Sequence, residues 1–257
     1  LELMSNVHTY HFPFLSHELK LEFVKNIDSD LADLISDLIQ ILKNDLSHKY
    51  ANSSAHKLNN AGKKFPVVVS PDFIEFFETS IKYFLATSSE FNPFNKEVDK
   101  FNLEGYFLIN NHENTIIKLD DFKFDSALLK FFIIQKIVNL LNLNNVKDYY
   151  LNYVDIAASF GEVTWKAKFH LTDFNKEVEF KLHNKFAFIF TPDHEKEVKG
   201  YTKFANVDQE VKASHILLKG NNLLDLKILA LEMEHLKWLH QYKEFAKENR
   251  TDIIVYT

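Results

Sequence analysis

Apolar positions recur along the 257-residue chain with two periods, one helical and one of two residues, in alternating blocks. The longest apolar block, Phe124–Leu141 (FDSALLKFFIIQKIVNLL), is too long for an ordinary strand and apolar on most of its circumference. That pattern predicts a helix buried against sheet or other helices, entered through Asp125 and Ser126, both good capping types. At ~100° per residue, Gln135, Lys136 and Asn139 form one narrow polar stripe. Lys130 projects from the opposite side, amid Ile134, Ile137 and Leu141. Two readings of Lys130 stand open. Its stem snorkels to water from the first turns, or its head points into a pocket that holds an anion.

The blocks before it predict strands at Val7–Phe14 and Leu19–Val24 around a Leu15-Ser16-His17 turn. A helix over Ser29–Leu46 follows, with Leu31, Leu34, Ile35, Leu38, Ile39 and Leu42 buried. Asp28, Asp30 and Asp33 suit its positive N-terminal end. Ser47–Lys64 reads as a polar surface loop and Val67–Val69 as a short strand. Ser70-Pro71-Asp72 opens a helix with Phe73, Ile74, Phe76, Phe77, Ile81, Phe84 and Leu85 on its core face. Gly105–Asn110 and Thr115–Leu119 predict a hairpin.

After the long apolar block, Tyr149–Ala158 reads as one interior strand. Val163–Leu171 alternates, with Val163, Trp165, Ala167, Phe169 and Leu171 inward. Glu177–Leu182, Phe186–Phe190 and Ala213–Leu218 are expected to continue that sheet. Asn222 to about Lys247 is helical with a break near Met233, and Asp252–Tyr256 is a closing strand. Strands with antiparallel spacing, punctuated by helices and without a linker, indicate an α+β fold of antiparallel sheets with packed helices. A single domain over 1–257 is expected.

Composition narrows the chemistry. The net charge of -6 and the scattered lysines argue against a nucleic-acid partner. No apolar run reaches the ~18 residues of a membrane span. No signal-peptide pattern opens the chain, so the expected location is cytoplasmic, with an exported form whose leader has been trimmed as the alternative. There is no cysteine, which removes disulfides, thiolate metal sites and a Cys nucleophile. Only five glycines occur, where average usage predicts roughly 18. Neither GxGxxG nor GxxxxGK[ST] is present, so a phosphate site here is not a glycine-loop site.

Few side-chain constellations stand out. Asp225 lies three residues after Asn222, which fits either a capping arrangement or a carboxylate ligand to a hard cation such as Mg²⁺. Glu232 and His235 form a lone Glu-x-x-His, and a di-metal bundle would need two. His8, His11 and His17 follow no ligand spacing. No G-x-S-x-G elbow supports a Ser/His/Asp triad.

In order and spacing, several segments resemble the ApbE-like family of flavin transferases (FAD:protein FMN transferase). These are Leu46–Tyr50, Ser53–Asn59, Val68–Pro71, Ser89–Pro93, the Asp125–Phe131 stretch (DSALLKF) and Leu224–Leu229 (LDLKIL). Together they span most of the chain. The resemblance implies an α+β fold that binds FAD and uses Mg²⁺ to transfer FMN to a Ser or Thr of a flavin-acceptor protein. Carried over by position, Tyr50 flanks the flavin, and Glu90, Phe91 and Asn92 line the dinucleotide site. Asp125, one position off the family's Asp, and Lys130 complete it. The carbonyl of Ala127 and the carboxylate of Asp225 hold the metal.

The chain departs from that pattern at ligand-facing positions. Phe131 replaces a glycine after Lys130, Val154-Asp155 stands for paired glycines, and Thr191-Pro192 for Thr-Ser-Gly. Leu229 takes the place of a metal-binding Thr. Loss of that oxygen weakens a Mg²⁺ site that already leans on substrate phosphates. A catalytically silent member acting as a ligand- or protein-binding module is therefore the alternative to an active transferase.

Overall fold

The computed structural model describes residues 7–87, 91–171, 176–191, 215–233, 236, 239–249 and 251–256. The chain divides into two compact units, Leu1–Asp28 with Asn142–Thr257, and Ser29–Leu141.

The first unit is built on a seven-stranded antiparallel sheet. Its strands are β1 (His8–Phe14), β2 (His17–Phe23), β6 (Tyr149–Tyr153), β7 (Ile156–Phe160), β10 (Lys185–Phe190), β11 (His215–Gly220) and β12 (Asp252–Tyr256), side by side in that order. Both faces of the central strands are covered, which is why Phe186–Phe190 reads as an unbroken apolar run. On one face lies the hairpin β8 (Trp165–Leu171) and β9 (Lys176–Leu182). Trp165, Ala167, Phe169, Val178, Phe180 and Leu182 pack there against Tyr150, Ala157, Ala187, Ile189 and Leu217. On the other face α5 (Leu223–Met233) lies against β10 and β11, with Lys227 Nζ 5.7 Å from the Phe188 ring centre. Helix α6 (Leu239–Glu248) packs on β12.

The second unit holds α1 (Ser29–Leu46), α2 (Ser54–Asn60) and α3 (Pro71–Ala86). It also holds a three-stranded antiparallel sheet, β3 (Pro66–Val68), β5 (Thr115–Lys118) and β4 (Phe107–Asn110), and most of α4 (Leu129–Leu143). Its core is rich in phenylalanine. Phe73, Phe76 and Phe77 of α3 meet Phe124 with ring centroids 5.7, 5.6 and 4.8 Å apart, and Phe76 meets Phe132 of α4 at 5.1 Å. Offset and edge-on pairs of this kind add ~0.5–1.5 kcal/mol each beyond buried area. Lys136 of α4 pairs with Asp72, at 3.3 Å, and with Glu75 of α3.

Several sequence expectations need correction. The long apolar block is helical only from Leu129, because Phe124 forms a bridge with Phe94 and stays extended. The Ser47–Lys64 loop contains α2, whose N-cap Ser53 accepts the His56 N–H at 2.9 Å and whose Ala55 and Leu58 are buried. Tyr149–Ala158 is a hairpin, turned at Val154-Asp155 with Val154 at φ 45°, a left-handed conformation few β-branched residues adopt. The β8–β9 hairpin stands apart from the main sheet instead of continuing it. Leu34 and Leu85 are exposed and Leu38 half-buried, since α1 buries the stripe Leu31, Ile35, Ile39, Leu42 and Leu46. The break near Met233 separates α5 from α6 as expected.

One loop in the first unit requires glycine. Gly161 has φ +111°, and a Cβ there would lie 2.4 Å from the Asp148 backbone N. The Asp148 carboxylate accepts N–H bonds from Glu162 at 2.6 Å and Val163 at 3.0 Å, which draws the two loops together.

Leu128 and Ile134 are fully buried. Ile134→Asp or Leu128→Asp would leave an unpaired charge in the core, with an expected loss upward of ~4 kcal/mol, read as collapse of the urea midpoint. Cooperative unfolding of both variants near the native midpoint would contradict this packing.

Asp120 joins Lys96 and Lys63, and their hydrogen bonds hold its carboxyl well below the usual carboxylate range. A depressed carboxyl stabilises the fold above the unfolded-state pKa of ~4, and that contribution fades as pH falls. Asp120→Asn is therefore expected to lower the urea midpoint at neutral pH, with the gap from the native chain narrowing in acid. A gap that stays constant down to about pH 2 would contradict the assignment.

Candidate functional site

In the second unit the segments that the resemblance singles out are held by side-chain hydrogen bonds, many of them to backbone. Asp45, near the end of α1, accepts the Ser54 N–H at 2.9 Å, the Ser54 hydroxyl at 2.7 Å and the Ser70 hydroxyl. Ser54 Oγ in turn accepts the Ser70 N–H at 3.0 Å, and Ser70 Oγ accepts the Phe73 N–H at 3.0 Å. One carboxylate thus ties the end of α1 to the starts of α2 and α3. No sequence pattern singled out Asp45, because its partners are nine and twenty-five residues away.

Asn59 of α2 bonds both backbone groups of Phe124. Its Nδ2 donates to the carbonyl at 2.9 Å and its Oδ1 accepts the N–H at 2.7 Å. Asp125 N–H donates to Pro93 O at 2.9 Å, and Asn95 N–H to Lys123 O at 3.0 Å. The 91–95 loop therefore runs beside 123–125, and this brings Asn92 and Asp125 into one neighbourhood.

The side chains there differ in what they offer. Asp125 is exposed, with Oδ1 3.6 Å from His48 Nδ1. Ala127 is exposed, and Lys130 is half-buried with Nζ 5.0 Å from the Phe131 ring centre. Tyr50 is exposed in the turn before α2. Asn92 spends its amide within its own loop, accepting the Phe94 N–H and donating to Lys96 O, both at 2.9 Å. Phe91 is 2% exposed and belongs to the core. Glu90 lies outside the described residues, as does His235.

The remaining candidate, Asp225, belongs to the first unit. It stands in the first turn of α5, where Asn222 Oδ1 accepts the N–H of Leu224 at 2.9 Å and of Asp225 at 3.2 Å. The capping role of Asn222 is therefore met. Asp225 also lines a cleft of ≈ 230 Å³, with Leu229 one turn further along the same helix face. Lys185, Lys219, Asn221, Asn249 and Asp252 line it too. Lys185 pairs with Asp252, which is also the cross-strand neighbour of Lys219. Lys219 Nζ lies 5.2 Å from the Phe180 ring centre and 3.5 Å from Lys181 O. Burial pulls its ammonium below the usual lysine range, Asp252 opposing and Lys185 adding to the effect. The sequence reading overlooked both lysines, which sit in strands apart from any motif.

These residues fit a divalent cation poorly. Asp225 contributes a carboxylate, the Asp252 carboxylate is paired with Lys185, and Leu229 places hydrocarbon where a further oxygen is needed. Among the described residues no three His, Asp or Glu side chains group as a metal site. Among them, too, no helix is long and apolar enough to cross a membrane.

No protein-family model matches the chain, and no curated protein matches it. Its structure is similar to that of flavin transferase ApbE from Vibrio cholerae, with TM-score 0.67 and 11% identity over 97% of this chain and 94% of that one. It is similar to the Pseudomonas stutzeri flavinyl transferase ApbE, with TM-score 0.70 and 10% identity over 96% and 90% of the two chains. The ApbE protein from Thermotoga maritima gives TM-score 0.68 and 11% identity over 97% and 94%. The chain has an α+β, ApbE-like fold.

Because Asp225 is exposed and Asn222 supplies the cap, Asp225→Ala should alter stability by no more than about 1 kcal/mol, through the helix dipole. Thermal melting of the variant checks this, and a larger loss would assign Asp225 a structural role.

Proposed function

We propose that this chain is a catalytically silent relative of the flavin transferases, a binding module on an ApbE-like fold. The observation that carries the reading is the α5 cleft, where Asp225 and Leu229 share one wall with Lys185 and Lys219 nearby. Transfer of FMN from FAD breaks a pyrophosphate bond, and its charge must be neutralised as the phosphorus is attacked. In the family that neutralisation falls to Mg²⁺. Here the hydrocarbon of Leu229, and the pairing of the Asp252 carboxylate with Lys185, disfavour a divalent ion. Scarcity of glycine removes a second aid, since backbone N–H groups approach phosphates best where no Cβ intervenes.

Retention of Asp225 and Lys130, and the exposure of Asp125 and Tyr50, favour a second reading. In that reading the chain is an active, Mg-dependent FAD:protein FMN transferase acting on a flavin-acceptor protein. Incubation with FAD, Mg²⁺ and a protein carrying the family's acceptor motif, followed by intact-mass measurement, separates the two. The expected result is an acceptor of unchanged mass. A gain of one FMN, abolished by Asp225→Ala, would establish the transferase.

A further inference from the structure

We infer that the outward face of the three-stranded sheet binds a second copy of this chain, stacked face to face and turned end for end. Register fixes which side chains share each face. Pro66, Ile117 and Leu108 stand in one row across β3, β5 and β4, and Val68, Thr115 and Asn110 in the next. The opposite face carries the buried Ile116 and Phe107, with the Phe107 ring 5.0 Å from that of Phe77 on α3. An antiparallel sheet with one face on the core and the other in water is expected to be polar on the wet side. Here the outward side is apolar at Pro66, Val68, Leu108 and Ile117. Val68 is 68% exposed and Leu108 46%, and Ile117, on the middle strand, is half-buried between them. Phe65, just ahead of β3, is 70% exposed. Contiguous apolar surface of this kind marks an interaction site.

Charge selects the occupant. Lys64 stands exposed where β3 begins, and Glu113 stands exposed in the β4–β5 turn, at the opposite end of the face. Neither forms an ion pair among the described residues. Nearby, Asp120 is taken up by Lys63 and Lys96, and the Asp121 charge acts on Lys118. That leaves Lys64 and Glu104 at one end, and Glu113 and His112 at the other. A partner of one charge sign would suit part of this pattern and oppose the rest. A second copy, related by a two-fold axis running across the strands, brings Lys64 over the partner's Glu113 and Glu104 over the partner's His112. The reciprocal contacts follow from the symmetry.

Three short strands offer less than the ~800 Å² per partner of a standard interface, so association is weak, with a dissociation constant of about 10 µM to 1 mM. Sedimentation equilibrium of the full chain across that range tests this. The mean mass is expected to rise from monomer toward dimer and to stop there. Val68→Lys and Leu108→Lys should each leave a monomer throughout with the melting temperature held, since both side chains are exposed. Lys64→Glu should weaken association about threefold or more, as should Glu113→Lys, and the two together should restore it. Leu34→Lys, at an exposed leucine of α1, should change nothing. A monomer at every concentration, a dimer indifferent to Val68→Lys and Leu108→Lys, or one lost in Leu34→Lys would overturn the inference. So would exchanged charges that fail to restore association. The measurement involves no flavin, so its outcome is separate from that of the acceptor-mass assay.

Discussion

The second unit depends on a short chain of side-chain-to-backbone hydrogen bonds, of which the Asn59 clamp on Phe124 is the decisive one. A planar amide that meets both the N–H and the C=O of one residue imitates a β-bridge. Each such bond contributes ~1 kcal/mol net, and more is lost when a buried partner is left unmade. The clamp and the Phe94 bridge keep Phe124 extended, so α4 begins at Leu129 and Asp125, Ser126 and Ala127 precede it as a connecting stretch. The Phe124 ring then meets Phe73, Phe76 and Phe77. Polar and aromatic terms thus position the same residue.

The first unit is organised differently. Its sheet is covered by a hairpin on one face and by α5 on the other, so the interiors of β10, β11 and β12 are largely apolar and their charges lie near the strand ends. Lys185, Lys219 and Asp252 lie at such ends, where β10, β11 and β12 meet the start of α5. Charge accumulates there because nowhere else on these strands can accept it cheaply. The fold provides the cleft, and the particular side chains at its rim decide how well a cation suits it.

Much of the architecture was legible from residue order. Period-2 and helical blocks located most strands and helices, and Ser70-Pro71-Asp72 marked the start of α3, where Ser70 Oγ does accept the Phe73 N–H. Misreadings share a cause. Val154 at φ 45° conceals a turn, because valine carries no turn signal. α2 was hidden by its polar composition, although Ser53 caps it as a serine should. Asp125 and Ser126 have cap-type side chains that suggest an earlier start to the long helix, but Asn59 holds the preceding backbone extended.

For the candidate site the division is sharper. Sequence alone determined the missing glycines, the absence of cysteine, the leucine at position 229 and the retention of Asp225, since each is a matter of residue identity. It also determined the α+β class, because hydrophobic period is a local property. Only the tertiary structure decided that Asp225 and Leu229 share a cleft with Lys185 and Lys219, that Phe91 is core, and that Asn92 serves its own loop. Those outcomes depend on which strands pair and which loops run side by side. Hydrogen bonds and charges act over a few ångströms of space, and residues separated by tens of positions in the chain reach that range only through the fold.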